Sequence, residues 1–368
     1  MQTFECVCGE RIFFENTRCL SCSRELGFEL STRSMLALDP SGTSMYEIGH
    51  NMFRKCKNYA AEEVCNWLVP TTSEQELCEA CRLNNVVPDL SVPENHARWG
   101  EMERAKRRLV YTLSTLNLPL VPKSEDSEHG LAFDIKADTP GERVLTGHAD
   151  GLITLNLAEA DPAVRERVRA DMNERYRTLL GHFRHESGHY FWERLIRDQD
   201  RVQDFRDLFG DETRDYGESI AAYYASPAPV RNDEYISAYA SSHPWEDWAE
   251  TFAHYLHMID TLETAQCFGL AQQLAARSRV PNVADFGLLI NEWTDLTVAL
   301  NALNRSMGLP DAYPFAISAR VREKLEFVHH IVRGERARPP ISATSNARPV
   351  SDIAPREPLV AACAAELS

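Results

Sequence analysis

Eight of the ten cysteines in this 368-residue chain fall within the first 81 residues, at Cys6, Cys8, Cys19, Cys22, Cys56, Cys65, Cys78 and Cys81. This clustering constrains the fold more than any other feature, because thiols gathered in close pairs are either oxidised together or held by a metal. The N-terminal stretch MQTFECVCGERIFFENTRC has no apolar segment behind a basic flank, so no secretory leader is expected and the compartment reads as a reducing cytoplasm. There, CLSC at 19–22 and CEAC at 78–81 read as ligand pairs for tetrahedral zinc. Cys6, Cys8, Cys19 and Cys22 form a first four-thiolate structural site, with RIFF in a short hairpin between its pairs. Cys56, Cys65, Cys78 and Cys81 form a second. The CVC pair at 6–8 has one spacer residue where such knuckles usually have two. Cys267 and Cys363 stand apart as ordinary thiols.

Charge and hydropathy remove several partners. Lys and Arg total 39 against 55 Asp and Glu, a net charge of -16 that repels phosphate backbones. Four-thiolate zinc sites add negative charge to the Cys-rich segment, so it is expected to be structural or protein-facing, and no nucleic acid is expected. No stretch reaches 18 uncharged apolar residues, so no membrane association is expected.

The chain divides near Pro88 to Pro93 into a Cys-rich domain (1–92) and a helical domain (93–335), followed by a Pro-containing tail (336–368) read as disordered. Apolar spacing predicts a helix over 99–117, and alternation predicts strands at 131–137 and 151–157, each with one buried face. Asp161-Pro162 opens a helical stretch running to about Ile196 with a break along the way. Further helices are predicted near 215–225, 245–260, 283–303 and 318–333.

Within the 162–196 stretch lies His185-Glu186-Ser187-Gly188-His189. On a helix the two imidazoles project from one face about one turn apart and can share a zinc ion, while Glu186 stands beside them to activate a water. A catalytic zinc needs a third protein ligand and an open position. The segment PWEDWAETFAHYLHM (244–258) offers Glu246 and Glu250 on one helical face. Like charges at that spacing repel, which is easier to explain if one is metal-bound. His243, His254 and His257 read as hydrogen-bonded or exposed imidazoles.

An HExxH motif followed downstream by ExxAE resembles the gluzincin arrangement of thermolysin-like and lethal-factor-like peptidases. That resemblance implies Glu246 as the third zinc ligand and Glu250 as the acid orienting His185. In lethal-factor-like relatives a Tyr seven residues before the glutamate ligand points into the site. Tyr239 holds that place and would support an oxyanion; the alternative is an aromatic packed beside Tyr235 and Trp245. RIFFENTRC, VCNWLVP, FRHESGHYFW and SAYASSHPWEDWAE together resemble the bacterial zinc-binding metallopeptidase family with an N-terminal zinc ribbon, over about residues 1–335.

The expectation is therefore an α+β, mostly helical chain: a gluzincin-type zinc peptidase domain with a small sheet, preceded by a zinc ribbon. One catalytic and two structural zinc ions are expected, with Glu186 as general base and a protein or peptide as substrate. The competing reading is a zinc-stabilised adaptor that binds a protein or peptide without cleaving it, a role that needs no general base.

Overall fold

The computed structural model describes residues 2–38, 45–48, 51–171, 177–226, 233–275 and 279–335; residues 1–337 form one compact unit. The tail expected at 336–368, including Cys363, lies outside the described residues.

Short antiparallel ladders build the Cys-rich segment. β1 (Phe4–Glu5) pairs with β2 (Arg11–Ile12), β3 (Glu25–Glu29) with β4 (Ser34–Leu38), and β5 (Met45–Ile48), β6 (Asn51–Lys55) and β7 (Leu68–Pro70) form a third sheet. The hairpin expected between the first two cysteine pairs instead encloses Cys6 and Cys8, with RI in its second strand. Gly9, at φ +86°, supplies the left-handed residue that its turn requires.

The helix predicted at 99–117 begins earlier, as α1 (Pro93–Thr115) with Pro93 in its first turn. Its apolar face is only part of what it buries. Glu103, Lys106 and Arg107 are buried as well, because α1 lies between the Cys-rich ladders and the helices that follow. Glu103 Oε1 receives Lys106 Nζ at 2.7 Å, Asn84 Nδ2 at 2.8 Å and Trp99 Nε1 at 3.1 Å, which satisfies the buried carboxylate. Tyr111 packs edge-on to Phe14 at 5.2 Å, and Phe14 to Phe28 at 4.8 Å. The Tyr111 hydroxyl reaches across to Glu263 at 3.0 Å.

A four-stranded mixed sheet comes next, in the order β10 (Gly147–Ala149), β11 (Leu152–Asn156), β9 (Ala132–Lys136) and β8 (Asn84–Val86). The two predicted strands are its parallel inner pair. Against expectation, β9 is buried on both faces. Asp134, which alternation assigns to solvent, is 2% exposed and is paired with Lys136 at 2.6 Å and Asn85 at 2.8 Å.

The stretch predicted from Pro162 to Ile196 resolves into α2 (Pro162–Asp171), where the Asp161 carboxylate accepts from Ala163 N–H, and α3 (Leu179–Leu195). Then follow α4 (Val202–Phe209), α5 (Tyr216–Ala225), α6 (Pro244–Cys267), α7 (Phe286–Ser306) and α8 (Ala319–Val332). The chain is thus α+β and mostly helical. Among the described residues, no helix is long and apolar enough to cross a membrane.

Candidate active site

Two helices carry the HExxH and EDWAE strings, and one contact sets their spacing. α3 starts where Thr178 Oγ1 accepts from Gly181 N–H at 3.0 Å, and it buries Phe183, Tyr190 and Phe191. At Gly188 it meets α6 so closely that a Cβ there would lie 2.9 Å from the Ala249 Cα. Trp248 Nε1 clamps the crossing by donating to the Gly188 carbonyl at 2.9 Å. α6 is capped by His243, whose Nδ1 accepts from Trp245 N–H at 3.1 Å, while its Nε2 contacts the Arg214 carbonyl at 3.1 Å. His243 is therefore a helix cap. Asp247, in the same first turn as Glu246, is fully buried against Lys324 Nζ at 2.6 Å; burial raises its carboxyl to about 7.

This crossing brings together the imidazoles of His185 and His189 and the carboxylate of Glu246, with one donor atom of each within 4.8 Å of the others. His185 Nε2 lies 3.0 Å from Glu246 Oε2, and His189 Nε2 lies 3.5 Å from Oε1. Zinc bonds of about 2.1 Å in a tetrahedron require donor separations of about 3.4 Å, so the spacing fits the ion. The donor chemistry fits as well. His185 Nδ1 lies 2.8 Å from Glu250 Oε1, a carboxylate that can only accept, so Nδ1 carries the hydrogen. Nε2 then faces a second carboxylate, an arrangement that requires a cation between them, a proton or a metal ion. Buried Glu246 Oε2 has no directed hydrogen bond among the described residues, and neither does His189 Nδ1.

Electrostatics agree. Burial opposes charge on His185, yet Glu246 and Glu250 outweigh it and hold the imidazole well above its usual range. Burial likewise pushes the Glu250 carboxyl up, but His185 and the Ser237 hydroxyl, donating at 2.6 Å, bring it down to about 2. Glu250 therefore lies behind His185 and not among the three convergent donors.

Glu186 and Tyr239 both line a cavity of about 1450 Å³ that also meets His185, Tyr223, Glu250 and His254. The Tyr239 ring is 6.0 Å from that of His185, and burial raises its phenol far above the usual value. His254 Nδ1 contacts the Tyr313 hydroxyl at 3.0 Å, and burial lowers the imidazole to about 4. Two neighbours have no signal in sequence spacing. The Tyr216 hydroxyl donates to Glu246 Oε1 at 2.8 Å from thirty residues upstream. His148, on edge strand β10, stacks 6.3 Å from His189, and burial lowers it to about 3. Only the tertiary fold brings them here.

The eight N-terminal cysteines gather into the two expected sets. Sγ separations are 3.7 Å for Cys6 and Cys22, 3.6 Å for Cys8 and Cys19, and 3.8 Å for Cys65 and Cys78. A tetrahedron of Zn–S bonds near 2.3 Å has edges of about 3.8 Å, whereas a disulfide needs about 2.0 Å. Backbone N–H groups of Trp67 and Cys78 point at the Cys65 and Cys56 sulfurs at 3.4 and 3.3 Å. With one spacer residue where such knuckles usually have two, the CVC pair still brings Cys8 Sγ within 3.6 Å of Cys19 Sγ. Cys267 is exposed and stands apart.

Comparison with known proteins follows the same division. A family model described as "Putative zinc-binding metallo-peptidase" matches residues 95–331, and a zinc-ribbon domain model matches residues 3–92. Uncharacterized proteins of Mycobacterium tuberculosis and Mycobacterium bovis are each 42% identical over 337 residues, covering 90% of this chain and 95% of theirs. No solved structure matches the chain.

Proposed function

The chain belongs to the zinc-binding metallopeptidase family whose model spans residues 95–331, and on that premise we propose that it hydrolyses peptide bonds at a zinc site made by His185, His189 and Glu246. The supporting observation is the convergence of those three side chains, one of which, His185, lines a large cavity together with Glu186. Zinc bound there supplies a Lewis acid that polarises a carbonyl and makes water acidic. Glu186 takes the proton of the attacking water and returns it to the leaving amine. Tyr239, from the same cavity wall, donates to the oxyanion of the tetrahedral intermediate. Glu250 holds the His185 imidazole in the tautomer that leaves Nε2 free. The arrangement is gluzincin-like. Two more zinc ions in the four-thiolate clusters hold the ribbon, and a reducing cytoplasm suits eight thiolate ligands.

The test is cleavage of a peptide library by zinc-loaded wild type and Glu186→Gln. The variant should keep its fold and zinc but lose turnover by about 10²–10⁴-fold. Equal cleavage by both would remove Glu186 from this role. No cleavage by wild type would move the site to the adaptor reading.

A further inference from the structure

Tyr216 is the first residue of α5, a ten-residue helix none of whose side chains is buried. Its ring stands edge-on to His243 at 5.3 Å and to Trp245 at 6.2 Å, the residues immediately before Pro244 and Glu246. The phenol donates to Oε1 of Glu246, which also lies 3.5 Å from His189 Nε2, while Oε2 is the oxygen nearer a ring nitrogen, 3.0 Å from His185 Nε2, and without a directed hydrogen bond. The two oxygens of this carboxylate are thus in different chemical settings. A carboxylate can hold zinc through one oxygen or through both, and a catalytic site must keep one position open.

We propose that Tyr216 is a positioning residue for Glu246: by engaging Oε1 it presents Oε2 as the metal-facing oxygen, limiting the carboxylate to one bond and keeping a position open for water or substrate. This rests on Glu246 being a zinc ligand. The role explains why an otherwise exposed helix begins with a tyrosine held by two aromatic rings: the ring packing aims the hydroxyl.

Tyr216→Phe keeps the ring and removes only the hydroxyl. Competitive chelation should show its His/His/Glu zinc held about 10–100-fold more weakly than in wild type, as for other outer-sphere partners, but more tightly than in Glu246→Ala. With cobalt(II) exchanged into that site and zinc kept in the thiolate sites, the variant's visible bands should weaken, as they do when coordination number rises. A role in packing alone would leave the spectrum unchanged. Wild-type affinity and spectrum in Tyr216→Phe, with metal lost from Glu246→Ala, would overturn the positioning role. Wild-type metal retention in Glu246→Ala would instead overturn the ligand assignment beneath it.

Discussion

Glu246 and Glu250 stand one helical turn apart, a spacing at which two carboxylates repel by a few tenths of a kcal/mol even in water. Here Glu246 is buried and Glu250 half-buried, and each is matched by a different edge of one imidazole: Nε2 of His185 at 3.0 Å and Nδ1 at 2.8 Å. His185 is therefore the residue that makes the acid pair tolerable, and the two acids do different work. Removing the acid behind the ring should disturb zinc without deleting a ligand. Glu250→Ala should weaken retention of the proposed His/His/Glu zinc by about 10–100-fold, falling between wild type and Glu246→Ala in a competitive chelator titration. If Glu250→Ala loses zinc more readily than Glu246→Ala, the two assignments exchange.

At the scale of elements, the decisive contact is the crossing of α3 and α6 at Gly188. Alanine there would improve helix propensity by roughly 1 kcal/mol. Its Cβ would, however, meet the Ala249 backbone at 2.9 Å from Cα and 3.2 Å from the carbonyl oxygen, and backbone cannot turn aside. Overpacking of this kind costs about 1–3 kcal/mol, so the clash should win. Gly188→Ala should unfold at lower urea concentration than wild type and should also bind the proposed His/His/Glu zinc more weakly, because separating the helices draws Glu246 from the two imidazoles. Equal or greater stability would show that the crossing can relax. The motif is usually read for its His and Glu positions, but in this chain one of its intervening residues sets the distance between the helices that carry the proposed ligands.

Over the whole molecule, buried histidines tie stability to pH. His329 on α8 sits between the Tyr255 hydroxyl at 3.0 Å and the Ala284 carbonyl at 3.1 Å, and burial lowers it to about 4 from an unfolded value near 6.5. A depressed pKa means that the folded state prefers the neutral ring. Its contribution is complete above about pH 6.5 and is lost as pH falls towards 4, up to about 3 kcal/mol. The stability difference between wild type and His329→Gln, from urea unfolding at each pH, should therefore narrow over that interval. A constant or widening difference would reject the linkage.

What the sequence by itself determined was local: the two cysteine sets, the HExxH pair, Glu246 and Glu250 on one helical face, the inner strands and the main helices. Each is written in spacings of a few residues, where backbone geometry fixes which side chains are neighbours. Tertiary structure decided the rest. Glu103, Lys106 and Arg107 are charged residues of α1 that are buried, because Val64, Cys81 and Asn84 of the Cys-rich segment cover that face. Asp134 reads as outward and is enclosed, because β9 became an inner strand. Tyr216 and His148 reach the site from elements about 20 to 30 residues along the chain from the helices that carry the proposed ligands. Such contacts depend on how helices and strands pack, and packing follows from shape and burial over the whole chain, which no short spacing encodes.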